Sequence, residues 1–524
     1  MIANELKPRR EVGELTEARE CTNICAELVD IYLRRIKDTL WQFHWESLLK
    51  ALIGQHEAYW HNRAIDEITI PTNIQCYDNL IPQLQRFIDD RANAEHLVIA
   101  LRLLIEIVSA ELPAGHRRVS TNDLDRLLAM AYHLINWATL SDNIALGILD
   151  YRLSVLASGR IGVEKTGPRE IWDPFITAKS IENVETAIKE FDSRFVTRMI
   201  GEKETFDSSS LDPAFKAEFG LTLSEIGAFH RFFTSLGFAQ RSPVISFRIS
   251  DLLDSISIDL GWLDDKIEIA FDLFTLKPRN KWEQAPPEFS DREDVWPWRY
   301  GRRLSYLRRP LIQVPLGEKE SVIFWGPRHV DESLRNLFGL VYTGRYKLQP
   351  GGSEEIEKMI SALREKAGAD FVSEVKHWIE QHSNWICHQE VKIGPGKALE
   401  APEDLGDVDV LCLDAGHRRI LSIECKNVNH ARNPREIRNE LERFLGDKEH
   451  SDSWVGKHQK RHQWLEGNLA VVKAAFDLVE IPLRVKSLVL TSEEIPSAYV
   501  RQMPLPVMSF SQLRREGLKA LEKA

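Results

Sequence analysis

The chain has no run of about 18 uninterrupted apolar residues, so no membrane-spanning helix and no membrane partner are expected. Residues 1–20 are charged and carry no apolar signal core, which points away from secretion. Cysteine is scarce, at positions 21, 25, 76, 387, 412 and 425. Only Cys21 and Cys25 stand close, one helical turn apart, and no second Cys or His pair stands at ligand spacing. Packing rather than a metal centre is therefore expected for them, in a reducing cytoplasmic compartment. A basic excess is also missing. The net charge of −11 argues against a general cationic coat for nucleic acid, although it leaves room for a local basic groove. Gly394-Pro395-Gly396-Lys397 lacks the spacing and the following helix of a phosphate loop, so no nucleoside-triphosphate site is expected. There is no internal repeat and no low-complexity tract.

What is present is enough chain for several cores. At 524 residues the length exceeds one ordinary domain, and 43% hydrophobic residues can fill more than one interior. Residues 1–160 read as a helical domain, because apolar residues recur at helical spacing in segment after segment. Residues 161–350 read as a mixed helical and β region for recognition or partner binding, with a hairpin over 311–327 turning at Gly317 to Glu320. A Pro/Gly/Ser cluster at Gln349 to Ser353 marks a boundary, and residues 351–524 read as an α/β domain with a mixed central sheet. The expected fold class is thus multidomain: a mainly α-helical N-terminal region with a small mixed α/β segment, then a C-terminal α/β domain.

Within that last domain, Gly406 to Asn427 reads as two strands joined by a tight turn. Residues two apart on a strand share a face, so Asp407 goes with Asp409 and Glu424 with Lys426. The turn closes as two residues, Gly416-His417, or as four, Ala415 to Arg418. Both closures place Asp414 opposite Arg419, Asp409 opposite Glu424, and Asp407 opposite Lys426. Opposed carboxylates repel in an antiparallel pair. A cation between them removes the conflict, so Asp409 and Glu424 point to a metal site. The bland alternative is a solvated acidic face with Lys426 paired to a carboxylate. Against it, the flanking strand residues are strongly apolar, and charges on a buried strand need compensation.

The expected element order is a helix from Ser353 to Gln381 and a strand from Asn384 to Ile393, then the hairpin. A helix from Asn433 to Leu445, a longer one from Lys457 to Val479 and a strand from Arg484 to Thr491 follow. With Asp on the second strand and Glu-x-Lys on the third, this order resembles the PD-(D/E)XK nuclease superfamily, the restriction-endonuclease-like fold, over Ser353 to Ala524. Val408-Asp409 stands where the nominal motif has Pro-Asp.

The resemblance implies a divalent-metal-dependent nuclease that hydrolyses phosphodiester bonds, with DNA before RNA as substrate, serving restriction, phage defence or repair. It implies Mg²⁺ or Mn²⁺ held by Asp409, Glu424 and the backbone carbonyl of Cys425. Lys426 would position or deprotonate water, or stabilise the transition state. Asp407 is either a further ligand or a partner of Lys426. Glu374, with Glu380 and Glu390 as rivals, stands where relatives carry an acid on the first helix. Lys457 or Arg461 is the expected phosphate contact from the helix after the Glu-x-Lys strand.

A second stretch, WPWRYGRRLSYLRRP from Trp296 to Pro310, interleaves Arg299, Arg302, Arg303, Arg308 and Arg309 with aromatic residues. That mixture suits phosphate contacts and base stacking. The competing reading is an interdomain surface whose arginines pair with acids such as Asp291, Glu293 and Asp294. A nucleic-acid-binding or assembly protein, its nuclease-like domain structural or activated by a partner, is the alternative function. A homo-oligomer or a protein partner of a defence system fits either.

Overall fold

The computed structural model describes residues 11–76, 81–164, 166–191, 208–299, 302–317, 320–346, 352–414, 418–446, 453–476 and 484–523. A mainly helical N-terminal region with minor β-content is followed by a C-terminal region built on a mixed sheet. The chain forms two compact units rather than the three consecutive domains expected. A helical unit comprises Thr22–Ser141 and Ala187–Leu363, and a sheet unit comprises Met1–Cys21, Asp142–Thr186 and Arg364–Ala524. The regrouping has a packing cause. Ile148 and Leu149 share a core with Ile437, Leu441 and Val500. The helix Thr166–Phe191 adds polar ties, with Lys179 on Glu493 at 2.7 Å and Glu182 accepting from the Glu494 N–H at 3.0 Å. Contacts so distant in sequence leave no trace in local periodicity.

In the helical unit, α1 (Ala18–Leu40), α2 (Trp45–Cys76), α3 (Ile81–Ala110) and α4 (Thr121–Ala145) bury a shared aliphatic core. Five further helices follow: α5 (Asp212–Phe219), α6 (Leu223–Ala239), α7 (Ile249–Leu260), α8 (Asp264–Phe274) and α9 (Pro327–Tyr342). The start of α6 is fixed by a capping box in which Thr222 and Glu225 each bond the other's backbone N–H. A four-stranded sheet, order β1-β4-β3-β2, runs through β1 (Ile245–Arg248), β2 (Thr275–Leu276), β3 (Leu311–Pro315) and β4 (Ser321–Trp325). The hairpin expected over 311–327 is β3–β4, and two of its turn residues, 318 and 319, lie outside the described residues.

The sheet unit opens its main domain with α10 (Glu354–His382), then β5 (Ile386–Gly394), β6 (Leu399–Glu400), β7 (Gly406–Asp414) and β8 (Arg419–Lys426). After these come α11 (Pro434–Leu445), α12 (Trp454–Gly467), α13 (Leu469–Ala475), β9 (Arg484–Thr491), β10 (Val507–Ser509) and α14 (Phe510–Glu516). Asn433 caps α11 by accepting from the Glu436 N–H, with Pro434 in the first turn as expected. The single long helix expected from Lys457 is two, α12 and α13, divided at Asn468. The six strands are ordered β10-β9-β8-β7-β5-β6. β5, β7 and β8 are antiparallel to one another in turn, while β9 adds to β8 in parallel.

Both faces of this sheet are covered, which is why β7 and β8 are apolar on alternate residues in both directions. One face packs Val410, Cys412, Leu421, Ile423 and Cys425 against α10, through Val375 and Ile379. The other packs Leu411, Leu413 and Ile420 against Leu465 of α12 and Val472 of α13. Cys21 and Cys25 are likewise buried.

Candidate active site at a break in the mixed sheet

The hairpin pairs as its sequence requires, from Asp414 opposite Arg419 to Val410 opposite Ile423. Residues 415–417 of its turn, including Gly416 and His417, lie outside the described residues. The ladder then stops. The next pair in register is Asp409 with Glu424, and no backbone pairing joins them. The pairing of β7 with β5 also skips Asp409, and Glu390, the residue in register with it there, has φ of +53°. A positive φ is uncommon outside glycine and marks a local departure from the pleat. The alternation of faces breaks at the same place, because Val408 and Val410 point into different cores. Gly406, with φ of +79°, lets the chain enter β7 in a conformation that a side chain would resist.

The break gathers charge. The Asp409 carboxylate accepts from the Cys425 backbone N–H at 2.7 Å, taking the place of a ladder bond. The N–H and C=O of one strand residue leave by the same edge, so the Cys425 carbonyl is directed toward β7 as well. Lys426 Nζ lies 2.6 Å from Glu424 Oε1 and 3.8 Å from Asp409 Oδ2, and 5.5 Å over the Trp454 ring. Burial, and then the Glu424 charge, push the Asp409 carboxyl up to about 6, against the opposing pull of Lys426 and the Cys425 N–H.

α12 closes the cluster from one side. Arg461, buried, donates from Nη2 to Glu424 Oε2 at 2.7 Å and from Nη1 to the Asp407 carbonyl. His458 is fully buried, with Nε2 on the Ser422 carbonyl at 3.1 Å and Nδ1 3.6 Å from Glu424 Oε2. Burial pushes His458 down to about 4, so it is neutral near pH 7 and donates through Nε2. Sequence reasoning missed His458 and Trp454. The signal was available: Trp454, His458 and Arg461 recur at i, i+4 and i+7, one face of a helix whose buried positions include Val455 and Leu465.

Several expected residues stand elsewhere. Lys457 is exposed, one position round the helix from the buried face. Glu374 is exposed, its carboxylate held by Arg514 at 2.8 Å. Its helix, α10, covers the sheet face opposite the side chain of Glu424. Glu380 pairs with Lys376 at 3.4 Å. Asp407 contributes its carbonyl to Arg461, and its negative charge adds to the upward push on Asp409.

The arginine-rich stretch departs furthest from the nucleic-acid reading. Arg302 is buried and grips Glu106 with both terminal nitrogens, at 2.6 and 3.0 Å, while the Tyr306 N–H adds a bond to the same carboxylate at 2.8 Å. Arg303 chelates Asp294 at 2.7 and 3.1 Å. Arg309 bonds the carbonyls of Arg303, Asp272 and Thr275. These three guanidiniums brace the helical unit internally, the pairing with Asp294 being the one the alternative reading anticipated. Arg299 and Arg308 are half-buried, and Arg308 lies 5.3 Å over the Tyr346 ring.

Among the described residues no group of three or more His, Cys, Asp or Glu side chains is arranged to hold a metal ion. A pair of carboxylates nevertheless fits a hard cation such as Mg²⁺, which keeps several waters and takes one or two protein carboxylates beside substrate phosphate. The Asp409 carboxyl, raised by burial and then by the Glu424 charge, bears on this, because a nearby cation would offset both.

Among the described residues no helix is long and apolar enough to cross a membrane. No curated protein and no solved structure matches the chain. Residues 7–507, nearly the whole sequence, match the family described as "Anti-phage protein Upx-like", and the chain belongs to that family.

Proposed function

We propose that the protein is a divalent-metal-dependent nuclease of anti-phage defence, acting in the cytoplasm, with its active site where β7 and β8 part. The observation that carries the reading is the convergence of Asp409, Glu424 and Lys426 at the break in the ladder, with burial and the neighbouring acid opposing ionisation of Asp409. The order of α10, β5, β7, β8, the following helices and parallel β9 supports a restriction-endonuclease-like fold for the C-terminal region. Membership of an anti-phage family supports defence over repair.

In this reading Asp409, Glu424 and the Cys425 carbonyl hold Mg²⁺ or Mn²⁺. The bound ion supplies Lewis acidity and a lowered pKa for water. Lys426 stands ready to orient a water molecule or to stabilise charge on the phosphate oxygens as the bond breaks. Arg461 fixes the Glu424 carboxylate and the backbone at Asp407, so the two acids keep their relative position. DNA is the favoured substrate. Arg461 Nη2 and Lys426 Nζ occupy both Glu424 oxygens. That closed arrangement favours a second reading, in which a partner or bound substrate must first loosen the site.

The test is incubation of the full chain with supercoiled, linear and single-stranded DNA and with RNA, in Mg²⁺, Mn²⁺ or EDTA. Cleavage that needs metal and disappears in Asp409→Ala, Glu424→Ala and Lys426→Ala is expected. Equal cleavage by all three variants and the wild type would overturn the assignment.

A further inference from the structure

The Glu424 carboxylate has two oxygens, and a cation sits on each. Arg461 Nη2 takes Oε2 at 2.7 Å, and Lys426 Nζ takes Oε1 at 2.6 Å. The two cations are held differently. Arg461 is 6% exposed and its other terminal nitrogen is tied to the Asp407 carbonyl, so it belongs to the framework joining α12 to β7. Lys426 is 21% exposed, and among the described residues its ammonium touches only Asp409, Glu424 and the Trp454 ring. A flexible four-carbon stem lets that charge move.

Its position is the informative part. Lys426 Nζ is also 3.8 Å from Asp409 Oδ2, and among the described residues it is the one cationic group within 4 Å of both carboxylates. It stands beside the Glu424 oxygen that Arg461 leaves open. A divalent ion shared by Asp409 and Glu424 needs that same oxygen, and Mg²⁺ bonds a carboxylate oxygen at about 2.0–2.1 Å, closer than an ammonium comes. Two cations at such range repel strongly, so they cannot occupy the place together. The Trp454 ring offers the ammonium another seat. It lies 5.5 Å from Nζ, is half-buried, and is braced edge to face by Phe444 at 5.1 Å.

We propose that Lys426 is a placeholder for the metal ion: in the metal-free protein its ammonium holds Asp409 and Glu424 together, and it leaves toward Trp454 when metal enters. The inference rests on the metal reading of this site. It accounts for two opposed acids persisting in a folded, metal-free chain. The apparent metal affinity is then reduced by the fraction of molecules in which the ammonium has moved away. The same lysine is freed to act on water or phosphate only when metal bridges the acids.

The experiment is calorimetric titration of Mn²⁺ into the full chain, the wild type beside Lys426→Met, Lys426→Gln and Lys392→Met, with thermal melting in EDTA and in Mn²⁺. Lys392 is the charge control, an exposed lysine on β5 in register with Asp407. Lys426→Met and Lys426→Gln are each expected to bind Mn²⁺ about tenfold or more tightly than the wild type, and to gain more melting temperature from it. Lys392→Met is expected to stay within about twofold of the wild type, because an exposed charge is screened. Equal or weaker affinity in both Lys426 variants overturns the proposal. So does an equal gain in Lys392→Met, which makes the effect one of general charge. No Mn²⁺ binding by any of the four proteins overturns the metal reading and the inference with it, whereas binding by all four at one affinity overturns the inference alone.

Discussion

Both units bury carboxylates, and one pair in the sheet unit is treated unlike the rest, since there too Asp414 is matched, by Arg419 at 2.7 Å. In the helical unit each deeply buried acid is matched by donors. Glu106 takes both arms of Arg302 and the Tyr306 N–H, and Glu57 takes the backbone N–H groups of Arg328 and His329 at the start of α9. In the sheet unit Asp409 and Glu424 face one another, with Lys426 and Arg461 concentrated on Glu424 and one backbone N–H on Asp409. Glu106 is matched as a charge by Arg302, whereas at Glu57 burial still outweighs the two N–H donors. Opposed charge is kept at a cost in stability, which makes such a cluster a candidate for function.

That contrast is broken most sharply by substitution on each side. Asp409→Ala, Glu424→Ala and Lys426→Ala are expected to lower metal-dependent cleavage by about 10³-fold or more, around 4 kcal/mol of barrier, with a folded protein by circular dichroism. Glu106→Ala or Arg302→Ala is expected to destabilise the helical unit by about 3 kcal/mol in urea unfolding, because each leaves a buried charge unpaired. The double variant Glu106→Leu with Arg302→Met recovers much of that loss. Similar catalytic loss from both sets, with no change in unfolding, would erase the distinction.

Arg461→Ala sits between the two classes, since Arg461 holds the Glu424 carboxylate that the proposed reading makes a metal ligand. A loss of cleavage of about 10- to 100-fold is expected, with partial rescue by Arg461→Lys and a raised metal requirement as the readout that separates positioning from folding. The smallest effect concerns pH. Burial pushes the Glu57 carboxyl up to about 7, above its ordinary value of 4.5. Its stabilising contribution is therefore complete below pH 4.5 and is lost as pH rises through 7. Glu57→Gln is expected to flatten that slope by on the order of 1 kcal/mol, measured by unfolding across the interval.

The hairpin register was legible because the chemistry that sets it is local. Period two along β7 and β8, together with a short turn, places Asp409 opposite Glu424 whatever the rest of the chain does. The cap at Asn433 and the strand Arg484–Thr491 are equally local. The internal pairing of Arg302 was not legible because a guanidinium looks the same in sequence whether it meets phosphate or Glu106, and that partner lies 196 residues away. Residues Asp142–Thr186 joined the sheet unit for the same reason, through contacts with Ile437, Leu441 and Glu494 that no window of sequence contains. His458 was within reach, its helical spacing from Trp454 and Arg461 being plain once the buried face of α12 is counted.

On the proposed reading, the contrast between matched and opposed acids comes down to where a divalent cation would bind. Calorimetric titration of Mn²⁺ into the full chain, beside Asp409→Asn and Glu57→Gln, measures it directly. Mn²⁺ binding by the wild type is expected, weakened about tenfold or more in Asp409→Asn and unchanged in Glu57→Gln. Equal Mn²⁺ affinity in the wild type and Asp409→Asn would contradict the account.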